Sequence, residues 1–289
     1  MHIIVDRCCM ASDRLRDFLS MSPSNIAVLT DYAAIEAFKG DTLSNIQSSW
    51  TVLQDFPHQV IALKSTRAAA LVDPCAPGIA KRMIDKKETK ALGGFARVLE
   101  SAQCGNRRAR EQLLQRGRWA DDHLNRLLAK SGHMRTSIDE FCSAFSADEL
   151  KRMRKLELWS EDTALKFMKI ALHETEKSFE YHPDRLNWPT RGHILNHFLF
   201  RHTVAYLIYV MELVRKGATD RKAVLVRNDA ADVVYVAFAT YHNGFMTDDV
   251  RAANTHWLTR FVLRELGARV PTNFINGDAK EEDAQMSDR

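Results

Sequence analysis

Short apolar runs without helical spacing mark the predicted strands of this chain. They comprise residues 2–5, 25–29, 59–63, 223–226 and 245–247, with a last one near residues 269–270. Between several of them, apolar positions recur at helical spacing, and clusters such as Ser22-Pro23-Ser24 and Asn243-Gly244 mark the turns. The pattern predicts an α/β fold with a parallel sheet.

The strand pattern disappears between about residues 77 and 218. Helical stretches follow one another there, namely residues 111–130, 137–145, 146–159, 161–179 and 190–216. Ser146 and Glu149 have the spacing of a capping box at the start of one of them. We therefore predict that residues 1–76 and 219–276 form the two parts of one α/β domain, with residues 77–218 as a large helical insertion. The polar tail, residues 277–289, is expected to be disordered.

The composition is that of a globular protein with a full core. The chain has 289 residues, of which 45% are hydrophobic, and its net charge is +4. Its five cysteines are an odd number with no CxxC pair, so neither a disulfide framework nor a thiolate zinc site is expected. Asp6 and Arg7 interrupt the first apolar run too early for a signal segment, and residues 198–214 are too short and too polar to span a membrane. These features predict a cytoplasmic protein.

Acidic residues follow three of the predicted strands. Asp6 closes the first run, Asp229 follows residues 223–226, and Asp248 and Asp249 follow residues 245–247. An open parallel sheet places its functional groups in the crevice outside the carboxyl ends of its strands. Helix capping is the structural alternative for each of the late acids, because carboxylates are favourable at helix N-termini.

The order of acids along the chain resembles that of the PIN-domain nucleases. Asp6 follows an N-terminal strand, Glu36 lies in an early helix, Asp232 opens a late helix, and Thr247-Asp248-Asp249 closes the next strand. The resemblance covers the two ends of the chain and leaves the middle unmatched. It implies a PIN-like parallel sheet whose acids bind Mg²⁺ or Mn²⁺ and hydrolyse phosphodiesters, usually of RNA.

The resemblance also implies roles for particular residues. The catalytic, metal-binding acids would be Asp6, Glu36, Asp232 and Asp249, with Asp229 and Asp248 as adjacent alternative ligands. The residue types suit the chemistry, because hard divalent cations prefer carboxylate oxygens and lower the pKa of bound water. Some members of the family are toxins held by a protein antitoxin, and others mature RNA or act in defence, so an inhibitor protein is an expected partner.

Two basic runs in the helical middle are candidate nucleic-acid contacts. They contain Arg107, Arg108, Arg110, Lys151, Arg152 and Arg154. Lys and Arg bind phosphates without reading sequence, so RNA is the expected partner and DNA is left open. Trp119 and Trp159 lie near these runs and are candidates for base stacking. Solvated helix faces and core tryptophans are the structural alternatives.

Two other functions compete with the metal-dependent nuclease. Arg191 and His197 are separated by five residues, which resembles the Arg-x(4–6)-His signature of metal-independent HEPN ribonucleases. The second is a non-catalytic binding or assembly protein on a PIN-like scaffold. It is favoured by Arg7-Cys8-Cys9, where the PIN family often has a small hydroxyl residue or asparagine after the first acid, and by the long helical middle. A homo-oligomer is left open.

Overall fold

The computed structural model describes residues 1–129, 140–154, 159–190, 192–215 and 223–274. Its sheet has four parallel strands: β1 (His2–Val5), β2 (Ile26–Leu29), β3 (Val60–Ala62) and β4 (Phe245–Met246). The strands are ordered β3, β2, β1, β4, and helices flank them. The predicted α/β class is confirmed, as are the strands predicted at residues 2–5, 25–29, 59–63 and 245–247.

The strand order reverses at β1, because the chain adds β2 and β3 on one side of it and β4 on the other. Ile3 pairs with Ala27 of β2, and Val5 pairs with Met246 of β4. The carboxyl ends of β1 and β4 therefore lie side by side, which is the kind of position where open parallel sheets form a crevice. Asp6 and Thr247 are the residues that directly follow these two ends.

The helices near the start of the chain are α1 (Asp13–Met21), α2 (Asp31–Phe38), α3 (Thr42–Ser49) and α4 (Thr66–Ala70). Hydroxyl side chains cap three of them: Ser12 accepts from the amide of Leu15, Thr30 from Ala33, and Ser65 from Ala68. The cap at Thr30 begins α2 directly after β2, so the next residues of the chain leave from the same edge of the sheet as Asp6.

Between β3 and β4 the named elements that the structure describes are all helical. Besides α4, they are α5 (Ile79–Arg82), α6 (Lys86–Gln103), α7 (Arg107–Ala129), α8 (Ala147–Arg154), α9 (Glu161–Glu180), α10 (Phe198–Arg215) and α11 (Ala223–Ala239), with a short 3-10 turn at Ile194–Asn196. The capping box is present, since Ser146 and Glu149 exchange side-chain bonds to each other's amides. The helix predicted over residues 190–216 begins only at Phe198, because His197 has an extended backbone.

Two predicted strands are wrong. Residues 223–226 are the first turn of a helix, α11 (Ala223–Ala239), which packs against α7, α10 and β1. Residues 233–239 of α11 are all buried. A short apolar run such as residues 223–226 cannot by itself distinguish a strand from part of a buried helix.

Residues near 269–270 form no strand, because side chains bind their backbone. The carbonyl of Arg269 accepts from Arg201 at 2.8 Å, and its amide donates to Asn196 at 3.2 Å. This segment follows the last described helix, α12 (Val250–Glu265). The tail predicted to be disordered, residues 277–289, lies outside the described residues. Among the helices that the structure describes, none is both long and apolar enough to cross a membrane.

Candidate metal centre

Asp6 is held at the end of β1 by two side-chain donors. Thr247 Oγ1 donates to Asp6 Oδ2 at 2.6 Å, and Cys8 Sγ donates to the same oxygen at 3.1 Å. The first contact follows from the pairing of β1 with β4, which brings residues 241 positions apart together. Asp6 is only 7% exposed, so its orientation is determined by these neighbours. Sequence patterns marked Thr247 only as part of a motif and gave Cys8 no role at this carboxylate.

Glu36 is joined to α11 by a buried tyrosine. Tyr235 Oη donates to Glu36 Oε2 at 2.9 Å, and the Tyr235 side chain is fully buried. Burial raises the pKa of Glu36, the bond from Tyr235 lowers it, and the charge of Asp6 raises it again. Tyr235 lies one helical turn beyond Asp232, so the bond brings the α2 acid to the part of α11 that carries the next one.

Asp232 is surrounded by other acids. Burial, together with the charges of four neighbouring acids, raises the pKa of Asp232 to about 9; these acids are Asp6, Asp249, Glu36 and Asp229. Among the described residues, no hydrogen bond or ion pair is made to the Asp232 carboxyl group. A carboxyl group in this setting is protonated at neutral pH unless a cation compensates the charge around it.

Asp249 serves the fold as well as the acidic site. Its Oδ1 accepts from the amides of Arg251 at 2.7 Å and Ala252 at 2.9 Å, which makes it the N-cap of α12. The capping alternative is thus confirmed for this residue. The same carboxylate is close enough to Asp232 to raise its pKa, so capping does not remove it from the acidic cluster.

The two alternative ligands are each near an arginine. Asp229 is buried within α11, not at a strand end, and its Oδ1 lies 3.4 Å from Arg251 Nη1. Asp248 is exposed and lies 3.9 Å from Arg14 Nη1. The structure therefore brings Asp6, Glu36, Asp232 and Asp249 together, places Asp229 beside them with a compensating charge, and turns Asp248 toward α1.

The acids do not form a tight cage. In the part of the chain that the structure describes, the one group of three side chains whose ligand atoms all lie within 4.8 Å is Cys8, Cys9 and Asp248. The carboxylates around Asp232 are more widely spaced than this. Such spacing suits a cation that keeps part of its water shell, and Mg²⁺ is usually bound by one or two carboxylates and several waters.

The first run of predicted nucleic-acid contacts lies far along its helix from the place where that helix meets α2. Arg107, Arg108 and Arg110 are exposed on the first turn of α7, where Arg107 pairs with Glu111 at 3.0 Å. α7 packs on α2 through His123 and Tyr32, sixteen residues and roughly 24 Å along the helix from Arg107.

The second basic run lies on α8, where Lys151 and Arg152 are exposed, and the side chain of Arg154 lies outside the described residues. Besides Arg251, two cations lie near the acids, Arg7 and Lys39, whose charges lower the pKa of Glu36. Neither of these two was predicted as a nucleic-acid contact.

The structure describes one of the two residues of the HEPN-like signature and both candidate base-stacking tryptophans. Arg191 of the signature lies outside the described residues. His197 is buried against Phe179, with ring centres 4.5 Å apart, and burial lowers its pKa to about 4, as expected of a core histidine. Trp159 packs on Phe167, whereas Trp119 is 55% exposed beside His123.

No protein-family model matches the chain, and no match is found among curated proteins or solved structures. By its fold and its site, the chain is an α/β protein with a cluster of acids, here called the acidic crevice, beside the ends of β1 and β4.

Proposed function

We propose that this chain is a metal-dependent nuclease that hydrolyses RNA phosphodiesters, with Mg²⁺ or Mn²⁺ held by Asp6, Glu36, Asp232 and Asp249. One observation carries the proposal: acids from two strand ends and two helices lie close enough to Asp232 to raise the pKa of the Asp232 carboxyl group. On this proposal the fold is PIN-like, with residues 1–76 and 219–276 as its two parts and residues 77–218 as a helical insertion.

The donor set fits a hard cation. All four side chains offer carboxylate oxygens, the ligand type that Mg²⁺ and Mn²⁺ prefer. No arginine or lysine forms an ion pair with Asp6, Glu36 or Asp232 among the described residues. Crowded acids without a compensating charge are unfavourable, so a cation would stabilise the arrangement as well as use it.

When bound there, such a cation would lower the pKa of a water molecule and neutralise phosphate oxygens. The chain's own residues would position its ligands. Thr247 holds Asp6 and Tyr235 holds Glu36, each through one short hydrogen bond, so neither carboxylate has to be ordered when a cation arrives. Arg7 and Lys39 supply positive charge near Glu36, where a phosphodiester backbone would enter.

The test is cleavage of single-stranded and structured RNA by the full chain with Mn²⁺ or Mg²⁺. Asp6→Asn and Asp232→Asn should each lower the rate by about 100-fold or more, since even outer-shell changes at metal sites cost 10–100-fold. Asp17→Asn, an exposed acid on α1, is the matched control and should cleave like the wild type. Cleavage that persists in chelator, or that both site variants retain, would reject the proposal.

A non-catalytic RNA-binding or assembly protein is the second candidate, and one contact favours it. Cys8 Sγ lies 3.1 Å from the Asp6 oxygen that Thr247 also binds, so two donors already occupy a would-be ligand. If the chain binds RNA but does not cleave it at any Mg²⁺ or Mn²⁺ concentration, the binding or assembly function replaces the proposed nuclease function.

A further inference from the structure

Two neighbouring thiols and a carboxylate face one another next to the acidic crevice. Cys8 Sγ and Cys9 Sγ are 3.7 Å apart, and the carboxylate of Asp248 completes a group in which all ligand atoms lie within 4.8 Å. Cys8 and Asp248 are exposed while Cys9 is buried, so a small ion could reach the group from the solvent side. The two thiols belong to the short 3-10 turn Arg7–Cys9 after β1, and Asp248 belongs to the turn after β4.

The sulfur spacing matches that of a tetrahedral thiolate site. Zn²⁺ binds thiolate sulfur at about 2.3 Å, and two such sulfurs at the tetrahedral angle are about 3.8 Å apart. A disulfide is disfavoured between these residues, because consecutive Cα atoms lie only about 3.8 Å apart, whereas disulfides usually join Cα atoms about 4.4–6.8 Å apart. The pair is therefore better spaced for sharing one ion than for oxidation to each other.

Asp248 has the freedom to complete such a site. Its side chain is 67% exposed, and its contact with Arg14 is a surface ion pair at 3.9 Å, of a kind that contributes little stability. Its own amide already donates to Cys8 Sγ at 3.5 Å, so the backbone of Asp248 is fixed beside the sulfur while the carboxylate can turn toward it.

We propose that Cys8, Cys9 and Asp248 form a binding site for a thiophilic divalent cation such as Zn²⁺. The site adjoins the carboxylates around Asp232, because the Cys8 thiol donates to Asp6 at 3.1 Å, and this bond would be given up when the thiol binds the ion. Three protein ligands leave a fourth position for water, as in open zinc sites. Thiolate ligands distinguish this site from the crevice, since Mg²⁺ and Mn²⁺ prefer oxygen and Zn²⁺ accepts sulfur. The site does not rest on the nuclease proposal.

Binding releases the thiol protons to solvent, and this has a cost at Cys9. The contact with Cys8 and burial raise the pKa of the Cys9 thiol. A coordinated thiol is deprotonated by the charge of the ion, which offsets this cost. The expectation from sequence that no thiolate zinc site exists considered only CxxC spacing, which does not report that Asp248 lies beside Cys8 although it follows it by 240 positions.

Titration of the full, reduced and metal-free chain with Co²⁺ tests the site. We expect one equivalent to produce a sulfur-to-cobalt charge-transfer band that Zn²⁺ displaces and that excess Mg²⁺ leaves unchanged. Cys8→Ser should abolish the band, and Asp248→Asn should weaken Co²⁺ binding by about tenfold or more. Cys104→Ser removes another exposed thiol and is the matched control, with binding as in the wild type.

Cys9 is buried, so the Cys9→Ser substitution can disturb folding, and the variant is interpreted only if its circular dichroism matches the wild type. If it does not match, the result for the exposed Cys8 decides the test. Asp232→Asn should keep the band, because that carboxylate belongs to the crevice. Absence of a band, a band that survives Cys8→Ser, or a band lost equally in Asp232→Asn would overturn the proposal. If the wild-type chain gives the cobalt band but does not cleave RNA, the result counts against the proposed nuclease function and leaves the thiolate site standing.

Discussion

Tyr235 Oη and Glu36 Oε2 lie 2.9 Å apart and join two helices that are 199 residues apart in the sequence. Tyr235 is fully buried, so its hydroxyl group needs an acceptor inside the protein, and Glu36 is that acceptor. The bond also opposes the rise in the pKa of Glu36 that burial causes. One contact thus satisfies a core tyrosine and helps to keep an acid of the crevice ionised.

Tyr235→Phe should reduce metal-dependent cleavage by about tenfold, because Glu36 loses the donor that orients it. The free energy of unfolding should fall by about 1 kcal/mol. Tyr241→Phe is a matched control: this buried hydroxyl donates to the carbonyl of Asn196 at 2.9 Å, away from the acids. Its stability should fall similarly while its cleavage rate stays at the wild-type value. Equal cleavage rates in the two variants would contradict the role given to Tyr235.

Asp232→Asn should stabilise the metal-free protein while abolishing cleavage. Burial and four neighbouring acids raise the pKa of Asp232 to about 9, and each pKa unit corresponds to about 1.4 kcal/mol. Removing the acid should therefore raise the free energy of unfolding at pH 7 by at least about 1 kcal/mol, measured by urea denaturation in chelator. A destabilised variant would mean that Asp232 has a favourable partner in solution.

Mn²⁺ should raise the melting temperature of the wild type, because a ligand that binds only the folded state stabilises it. At a concentration 100-fold above the dissociation constant the gain is about 2.7 kcal/mol. Asp6→Asn and Asp232→Asn should show little or no shift in differential scanning fluorimetry, while Cys8→Ser should keep it. A shift of wild-type size in both acid variants would place the ion elsewhere.

Substitutions at Asp249 should separate its two roles. Asp249→Ala removes the cap of α12 and should cost about 1 kcal/mol of stability, whereas Asp249→Asn can still cap. Both should lower cleavage if the carboxylate also binds metal. Asp85→Ala is the matched control, since Asp85 caps α6 through Lys87 and Glu88 amides and lies outside the crevice. Wild-type cleavage by Asp249→Asn would limit the residue to capping.

Stability should fall as the pH drops below about 6.5. Burial lowers the pKa of His197 to about 4 and that of His242 and His256 to about 3, from 6.5. These histidines stay neutral in the folded protein but take up protons when the chain unfolds. Their contribution to the free energy of unfolding is therefore complete above pH 6.5 and is lost as the pH falls toward 4. Each can account for up to about 1.4 kcal/mol per pH unit.

Urea denaturation at several pH values measures this dependence. His242→Gln should flatten the decline between pH 6.5 and 5, and His58→Gln, an exposed histidine, should leave it unchanged. An unchanged decline in His242→Gln would show that this ring is protonated in the folded state.

Sequence patterns were informative where a strand ends in an acid. Asp6 and the turn at Thr247 were placed correctly, because short apolar runs before turn residues predict strands, and parallel pairing puts their ends at one edge. Asp229 was predicted to follow a strand for the same reason and instead lies inside α11. An apolar run of four residues is compatible with a strand and equally with one turn of a largely buried helix.

The contacts that support the acids could not be predicted. A tyrosine in an apolar helix has the pattern of an ordinary core residue, and only the position of α2 gives Tyr235 its partner. Likewise, the thiol of Cys8 accepts from the Asp248 amide, 240 positions later, only when β1 and β4 pair. Such contacts depend on distances between residues that are far apart in the chain, which periodicity does not report.

The sheet pairs its earliest strand with its latest. β1 is synthesised long before its neighbour β4, which begins at Phe245, and the hydroxyl group that fixes Asp6 comes two residues later still. A nascent chain therefore holds an unfinished crevice until Thr247 has been translated, and products truncated before β4 lack the wall that this strand forms. If the crevice cuts RNA, this late closure would protect the messenger and the ribosome that are making it.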